Sequence, residues 1–186
     1  MVEKLTIVEA IEPFLNKLGQ SIHLANICKE LNQPHPTVRL KLNTLLKYGV
    51  LKKTYKGRLT LYSLNLDHPN LIDYLTIAEK NKLILKCQKE LLFREIVKFL
   101  REQDCLNSAI IFGSAVYNLK KANDVDVLIV GKVDNKKFND FSNKINKKLH
   151  IITLTNFNDV SVSLKKEILT KHLIVAGTEQ VLRWLL

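Results

Sequence analysis

The sequence predicts an α+β protein in three parts: a small basic module that ends in a β-hairpin, a helical connector, and an α/β module with a mixed sheet. Apolar residues recur at helical spacing in the N-terminal part and again before residue 103. Neither proline nor glycine occurs between Asn70 and Phe112, so this stretch can be helical almost throughout. Beyond it, short apolar runs predict buried strands. The predicted parts are residues 1–66, 67–104 and 105–186.

Composition restricts the class of protein. Of 186 residues, 46% are hydrophobic and 25% charged, which is typical of a folded globular chain. No apolar stretch reaches the roughly 20 residues that span a bilayer, and Glu3 and Lys4 do not fit a signal peptide. Cys28, Cys87 and Cys105 are far apart and form no CxxC pair, which suits buried thiols in a reducing compartment. We therefore expect a cytoplasmic protein with no membrane partner.

The basic module is predicted to begin with three helices. Apolar positions predict the first over residues 3–18, with Pro13 as the place where it bends or divides and Gly19 as its end. Ser21 is expected to cap the second helix. The third is expected to open at Thr37, after a proline-rich turn. Strands over residues 50–54 and 58–64 follow as a hairpin.

Charge points to a polyanionic partner. The chain carries 29 Lys and Arg against 18 Asp and Glu, a net charge of +11. Residues 1–66 hold ten basic and four acidic residues, residues 67–104 are balanced, and residues 105–186 carry a net charge of +5. An exposed helix face and a basic hairpin can contact a major groove and its phosphates, although such charges can also merely solvate a small domain. The predicted contacts with double-stranded DNA are Thr37, Arg39, Lys41, Asn43, Lys47, Lys52, Lys53, Lys56 and Arg58.

The run from Gln33 to Leu51, followed by Tyr55 to Tyr62, resembles the winged helix-turn-helix of prokaryotic transcription regulators. The resemblance implies DNA binding, although winged helices also serve in protein interaction. Because such modules generally read paired half-sites, it also implies a homodimer. The connector over residues 69–103 is the expected interface. Its apolar positions predict two helical segments, one over Leu71–Ala78 and a second that begins at Leu83 and ends near Gln103.

The most informative motif lies between two predicted strands of the last part. Ala109–Phe112 is followed at once by Gly113 and Ser114, and after nine further residues a second strand begins at Asp124. Because side chains alternate along a strand, Asp124 and Asp126 point to the same face.

Two neighbouring carboxylates repel each other unless a cation relieves them, and Mg²⁺ prefers oxygen ligands together with substrate phosphates. Gly113 allows a phosphate to approach the backbone, and Ser114 adds a hydroxyl donor. The motif therefore predicts a site for a nucleoside triphosphate (NTP) and Mg²⁺. The alternative is an ordinary turn beside two exposed strand residues.

The pattern of a hydrophobic residue, Gly113-Ser114, and the Asp124–Asp126 pair resembles the signature of DNA polymerase beta-like nucleotidyltransferases, especially the minimal forms of prokaryotes. An archaeal source is expected. The resemblance implies Mg²⁺ and transfer of a nucleoside monophosphate with release of pyrophosphate. It implies that Gly113 and Ser114 bind the triphosphate and that Asp124 and Asp126 are the catalytic metal ligands. It extends over a helix at 136–149, a strand at 150–154, a helix at 160–169, and residues 173–179.

The chain departs from that signature in two places. Tyr117-Asn118 stands where many members have Arg-Gly, and the later strand that usually carries a third carboxylate has none. Asp134, Asp140 and Asp159 lie outside that strand. His150, at its start, could act as a base, although such a histidine is more often structural.

Three functions therefore stay open. The first is an enzyme that transfers a nucleoside monophosphate to a protein or nucleic-acid acceptor. The second is a transcriptional regulator whose nucleotidyltransferase domain is degenerate or a nucleotide sensor. The third is an antitoxin-like partner of a small toxin.

Overall fold

The computed structural model describes residues 5–103 and 106–186. Predictions that concern Glu3, Lys4 and Cys105 lie outside the described residues. The chain divides into two compact units between Asn81 and Lys82, within the predicted connector. No helix among the described residues is both long and apolar enough to cross a bilayer.

The first unit is a small helical cluster closed by a three-stranded antiparallel sheet with strand order β1-β3-β2. Its elements in chain order are a 3-10 turn (Glu9–Ile11), α1 (Glu12–Leu15), β1 (Ile22–His23), α2 (Leu24–Leu31), α3 (His35–Lys47), β2 (Leu51–Lys56), β3 (Leu59–Leu64) and the first part of α4 (Leu71–Lys89).

The single helix predicted over residues 3–18 is wrong. The structure has a 3-10 turn and then the four-residue helix α1, which ends at Leu15 and not at Gly19. Pro13 lies in the first turn of α1, where its missing N–H costs no helical hydrogen bond. The proline therefore divides the segment, as the sequence allowed, and begins a new helix.

The predicted starts of the next two helices are also wrong. Ser21 caps no helix, because the following residues Ile22–His23 pair with β3 and α2 begins only at Leu24. The third helix begins at His35, two residues before Thr37, since Pro34 is extended at the cap position and a proline is accommodated in the first turn. The hairpin forms as predicted, although β2 begins one residue later and ends two residues later than expected, and β3 begins one residue later.

The connector contains two helices. The first, α4, continues to Lys89, well past the predicted break before Leu83, because no residue in it interrupts a helix. The extended backbone of Glu90 then separates it from α5 (Leu91–Arg101), which ends close to the predicted Gln103.

The second unit is built on a four-stranded sheet with strand order β6-β5-β4-β7. Strands β5 and β6 are parallel and the other pairs antiparallel, so the predicted mixed sheet is confirmed. Its further elements are β4 (Leu106–Phe112), a 3-10 turn (Ser114–Val116), β5 (Asp124–Gly131), α6 (Asn135–Lys144), β6 (Lys148–Leu154), a 3-10 turn (Phe157–Asp159), α7 (Val162–Thr170), β7 (His172–Ala176) and α8 (Thr178–Leu185).

The core of this unit lies between one face of the sheet and helices α5 and α6. Alternate β5 residues Val125, Val127 and Ile129 are buried in one cluster with Phe93 and Phe138 from the two helices. The opposite face is partly covered by α8, whose Gln180 hydrogen-bonds Ser108 of β4 at 3.2 Å. Because Val125 and Val127 are buried in this core, Asp124 and Asp126 at the start of β5 lie on the other face of the sheet.

The bounds of both helices predicted between β5 and β7 are wrong. The helix expected over residues 136–149 ends at Lys144, because Asn146 takes a left-handed conformation with φ of 48° and Lys148 begins the next strand. The helix expected over residues 160–169 runs from Val162 to Thr170, since the Ser161 hydroxyl accepts a hydrogen bond from the Leu164 N–H and caps it.

Candidate active site

The Asp pair lies at one end of the sheet, at the start of β5. Val125 and Val127 are fully buried, whereas Asp124 and Asp126 are partly exposed on the other face. Phe112, the last residue of the antiparallel neighbour β4, is the register partner of Asp126. This pairing brings the turn that follows Phe112 to the same end of the sheet as the two carboxylates.

Gly113 occupies a conformation and a space that other residues would not tolerate. Its φ of 76° and ψ of −153° lie in a region that is essentially restricted to glycine. A Cβ atom at this position would come within 2.7 Å of Asp126 Oδ2. The Gly113 backbone and the Asp126 carboxylate can thus lie side by side because residue 113 has no side chain. Ser114 follows, exposed, and its carbonyl accepts a hydrogen bond from the Tyr117 N–H at 3.2 Å.

The strand beside the Asp pair presents cationic and imidazole groups. Strand β6 is parallel to β5, with Lys148 as register partner of Asp124 and His150 as register partner of Asp126. His150 Nδ1 lies 2.9 Å from Asp126 Oδ1, and the histidine side chain is 58% exposed. Sequence reasoning placed the start of this strand at His150 and so missed Lys148. The alternation of residues 148–154 was the signal that could have found it.

The other carboxylates near the site in sequence have structural roles or lie elsewhere. Asp134 caps α6 by accepting hydrogen bonds from the N–H groups of Lys136 and Lys137. Asp159 accepts a hydrogen bond from the Thr155 hydroxyl at 3.0 Å, and Asp140 is exposed on α6. None of these three faces the Asp pair from β6.

The carboxylates of Asp124 and Asp126 fit one hard cation whose remaining oxygen ligands would come from a nucleotide and water. Within residues 5–103 and 106–186, no three His, Cys, Asp or Glu side chains form a group that could hold a metal by themselves. Two carboxylates are, however, what Mg²⁺ commonly takes from a protein when phosphate oxygens and water complete its shell. Asp124 and Asp126 are thus the residues that would hold Mg²⁺ here.

Similarity to a known family bears directly on this part of the chain. The family model described as a nucleotidyltransferase domain matches residues 92–175. This stretch is a nucleotidyltransferase domain. The match spans the sheet strands β4, β5 and β6 and most of β7, and it includes the Asp pair and the Gly113 turn.

One solved structure is also similar. It is described as a mutant form of the toxin–antitoxin MntA–HpeT, with 19% sequence identity and a TM-score of 0.38 over 50% of this chain and 79% of that chain. No curated protein matches the chain.

The residues predicted to contact DNA lie in the first unit, outside the nucleotidyltransferase domain. On α3, Arg39, Asn43 and Lys47 are exposed, whereas Thr37 and Lys41 are half-buried at the flank of the helix. The exposed face of α3 also includes Leu40, which the sequence-based prediction left out and which is 65% exposed.

The hairpin separates its two adjacent lysines onto opposite faces. Lys53 is the register partner of the buried Tyr62 and so lies on the same face of the sheet, but its side chain is exposed. A hydrogen bond with Tyr55 raises the pKa of Lys53. Lys52 points the other way and forms a 2.8 Å ion pair with Asp67, which lowers the pKa of that carboxyl. Lys56 and Arg58 are exposed at the tip.

Proposed function

We propose that this protein binds a nucleoside triphosphate with Mg²⁺ through its nucleotidyltransferase domain and binds duplex DNA through its N-terminal unit. Nucleotide binding is supported by the close approach of Gly113 to Asp126, where backbone without a side chain lies beside the carboxylate pair. A phosphate chain can therefore approach Gly113, and Asp124 and Asp126 are the residues that would hold Mg²⁺ beside it.

Each residue of the site has a distinct task in this proposal. Asp124 and Asp126 hold the ion, and Gly113 leaves room for the phosphates, to which the Ser114 hydroxyl donates a hydrogen bond. His150 fixes the orientation of the Asp126 carboxylate through the 2.9 Å contact with Oδ1. Bound Mg²⁺ would neutralise the charge of the phosphates and favour departure of pyrophosphate.

The enzymatic form of the proposal is transfer of the nucleoside monophosphate to a hydroxyl of a protein or nucleic-acid acceptor. In that reaction the acceptor oxygen bonds to the α-phosphorus, the bond to the bridging oxygen breaks, and pyrophosphate leaves. The proton of the acceptor hydroxyl must go to a base, and His150, which lies beside Asp126 on β6, is the candidate for this role. The antitoxin-like alternative stays a prediction.

Nucleotide sensing without transfer is a second candidate function. It is favoured by the position of His150, which lies beside Asp126 on β6 and hydrogen-bonds its carboxylate. A histidine therefore stands where a third carboxylate could have helped to activate an attacking oxygen. A regulator of this kind would couple occupancy of the nucleotidyltransferase domain to DNA binding.

The proposed binding of duplex DNA by the N-terminal unit is supported by the charge and exposure of its side chains. Arg39 and Lys47 are exposed on α3, and Lys56 and Arg58 at the hairpin tip, in a region with a net charge of +6 over residues 1–66. Helix α3 enters the major groove in this proposal, and the hairpin contacts neighbouring phosphates, which is the winged helix-turn-helix mode.

Calorimetry of the full chain with ATP, GTP, CTP and UTP, with and without Mg²⁺, tests nucleotide binding. The double substitution Asp124→Asn, Asp126→Asn keeps the shape and removes the charge, and we expect it to abolish Mg²⁺-dependent binding. Asp140→Asn, an equal charge change at an exposed helix position, is the matched control and should bind normally. If the wild type binds none of the four nucleotides, the proposal for this domain is wrong.

Incubation with each labelled triphosphate separates the enzyme from the sensor. A labelled protein or nucleic acid that forms with the wild type, and not with the Asp124→Asn, Asp126→Asn variant, supports transfer. Binding without any labelled product supports sensing. Duplex affinity is measured separately at several salt concentrations, where the proposed phosphate contacts require a steep dependence on salt.

A further inference from the structure

The exposed face of α3 has an apolar residue at its centre. Val38, Leu42 and Leu45 are fully buried and define the inner side of the helix. With about 3.6 residues per turn, Leu40 lies almost opposite them, on the solvent side of the helix. Leu40 is 65% exposed, a large value for a leucine in the middle of a helix of 13 residues.

Polar and cationic groups surround this leucine along the helix. Arg39 is its chain neighbour, and Asn43 and Lys47 lie one and two turns further along the same stripe; all three are exposed. An apolar contact framed in this way does not match a hydrophobic protein interface, whose centre is depleted of charged residues. It does match a major groove, where phosphates flank base edges and thymine is the base that carries a methyl group.

We propose that Leu40 reads thymine by contacting its 5-methyl group, and so determines part of the DNA sequence preference. This inference rests on the proposed duplex binding through α3. Arg39 and Lys47 hold the helix by contacts with the anionic duplex, and Asn43 can hydrogen-bond a base edge. Among Arg39, Leu40, Asn43 and Lys47, the purely apolar side chain is that of Leu40, and Pro36, one turn earlier, is also exposed.

The magnitude follows from the size of one methyl group. Burial of a single aliphatic carbon changes affinity by roughly fourfold. Deoxyuridine differs from thymidine only by lacking this methyl group, so a thymine-to-uracil exchange in the duplex removes the contact and leaves every hydrogen bond in place.

The experiment uses the full chain and a duplex selected from a random pool for tight binding. Each thymine of the selected duplex is replaced in turn by deoxyuridine, and the dissociation constant is measured for the wild type. We expect a roughly fourfold weakening at one or two positions and none elsewhere. In Leu40→Ala, thymine and deoxyuridine duplexes should bind equally well at those positions.

Leu59→Ala is the matched control. Leu59 is also exposed, at 48%, but lies on the hairpin and not on α3, so this variant should keep the full thymine preference. Because Leu40 is exposed, its replacement should not affect folding, and an unchanged circular dichroism spectrum checks this.

The outcomes separate this inference from the proposed function. If duplexes bind but no thymine exchange matters, or if selection yields no preferred sequence, Leu40 does not read thymine, although duplex binding stands. If Leu40→Ala keeps the thymine preference, or changes the sedimentation coefficient instead, the residue serves another contact and the inference is overturned. If no duplex binds, the proposed function of the N-terminal unit itself fails.

Discussion

Replacement of Gly113 by alanine tests how closely the backbone and the carboxylate of the proposed site approach each other. Two effects should destabilise Gly113→Ala. A side chain at a φ of 76° and a ψ of −153° costs roughly 1–3 kcal/mol of backbone strain. The new Cβ would lie 2.7 Å from Asp126 Oδ2, so the carboxylate would have to turn away from its contact with His150, and a displaced side-chain rotamer costs roughly 0.5–1.5 kcal/mol more.

A second variant separates the two effects. In an Asp126→Ala background the carboxylate is absent, and the nearest remaining atom of residue 126 is its Cβ, at 3.8 Å, which is ordinary van der Waals contact. Gly113→Ala should then cost only the backbone term, roughly 1–3 kcal/mol. The difference between the two backgrounds is the coupling free energy of this contact.

Urea unfolding followed by tryptophan fluorescence measures these costs. Trp184, the sole tryptophan of the chain, lies on α8 in the same unit and stacks on Phe157 with ring centroids 4.7 Å apart. Gly57→Ala is the control for a positive φ without a close contact, because Gly57 has a φ of 60° and no atom within 4 Å of its Cβ position; since Gly57 lies in the first unit, unfolding of this variant is followed by circular dichroism. An equal cost of Gly113→Ala in both backgrounds would refute the close approach of Gly113 and Asp126, and with it the reasoning on the site.

Three further predictions follow from charges and burial. Lys53→Gln should lower the slope of log affinity for duplex DNA against log salt by about 0.9, and Lys52→Gln should lower it by less because Asp67 pairs with Lys52. Equal losses would contradict the effect assigned to the Lys52–Asp67 ion pair. His150→Asp should add a carboxylate beside Asp126, and raise the number of Mn²⁺ ions bound with a nucleotide from one to two by electron paramagnetic resonance; a wild type that already binds two would contradict this. Burial raises the pKa of the Cys87 thiol, because the folded state disfavours the thiolate. The free energy of unfolding is therefore unaffected by this thiol below its ordinary pKa and falls as the pH rises from that value towards the raised pKa of the folded state. Cys87→Ser should therefore lose less unfolding free energy than the wild type between neutral pH and about pH 10, measured by urea titration, and parallel losses would show that the thiol is not responsible.

Local sequence patterns determined the kinds of elements and the pairing of the two aspartates on one face. Alternation along a strand is a local property, so Val125 and Val127 in the core require Asp124 and Asp126 outside it, whatever the rest of the chain does. The absence of helix breakers between Asn70 and Phe112 likewise predicted a helical stretch, although only packing located the break at Glu90. Prolines misled the prediction of helix starts, because proline is as well suited to the first turn of a helix as to the turn before it.

Tertiary structure alone decided which distant residues meet. The register of β4, β5 and β6 places Phe112, Asp126 and His150 side by side, although 14 and 24 positions along the chain separate neighbouring partners. The register depends on the packing of whole sheet faces, which no local pattern encodes. In α3 the spacing of Val38, Leu42 and Leu45 already predicted the buried side of the helix from the sequence. Only the structure showed that Thr37 and Lys41 are half-buried and that Leu40 is exposed.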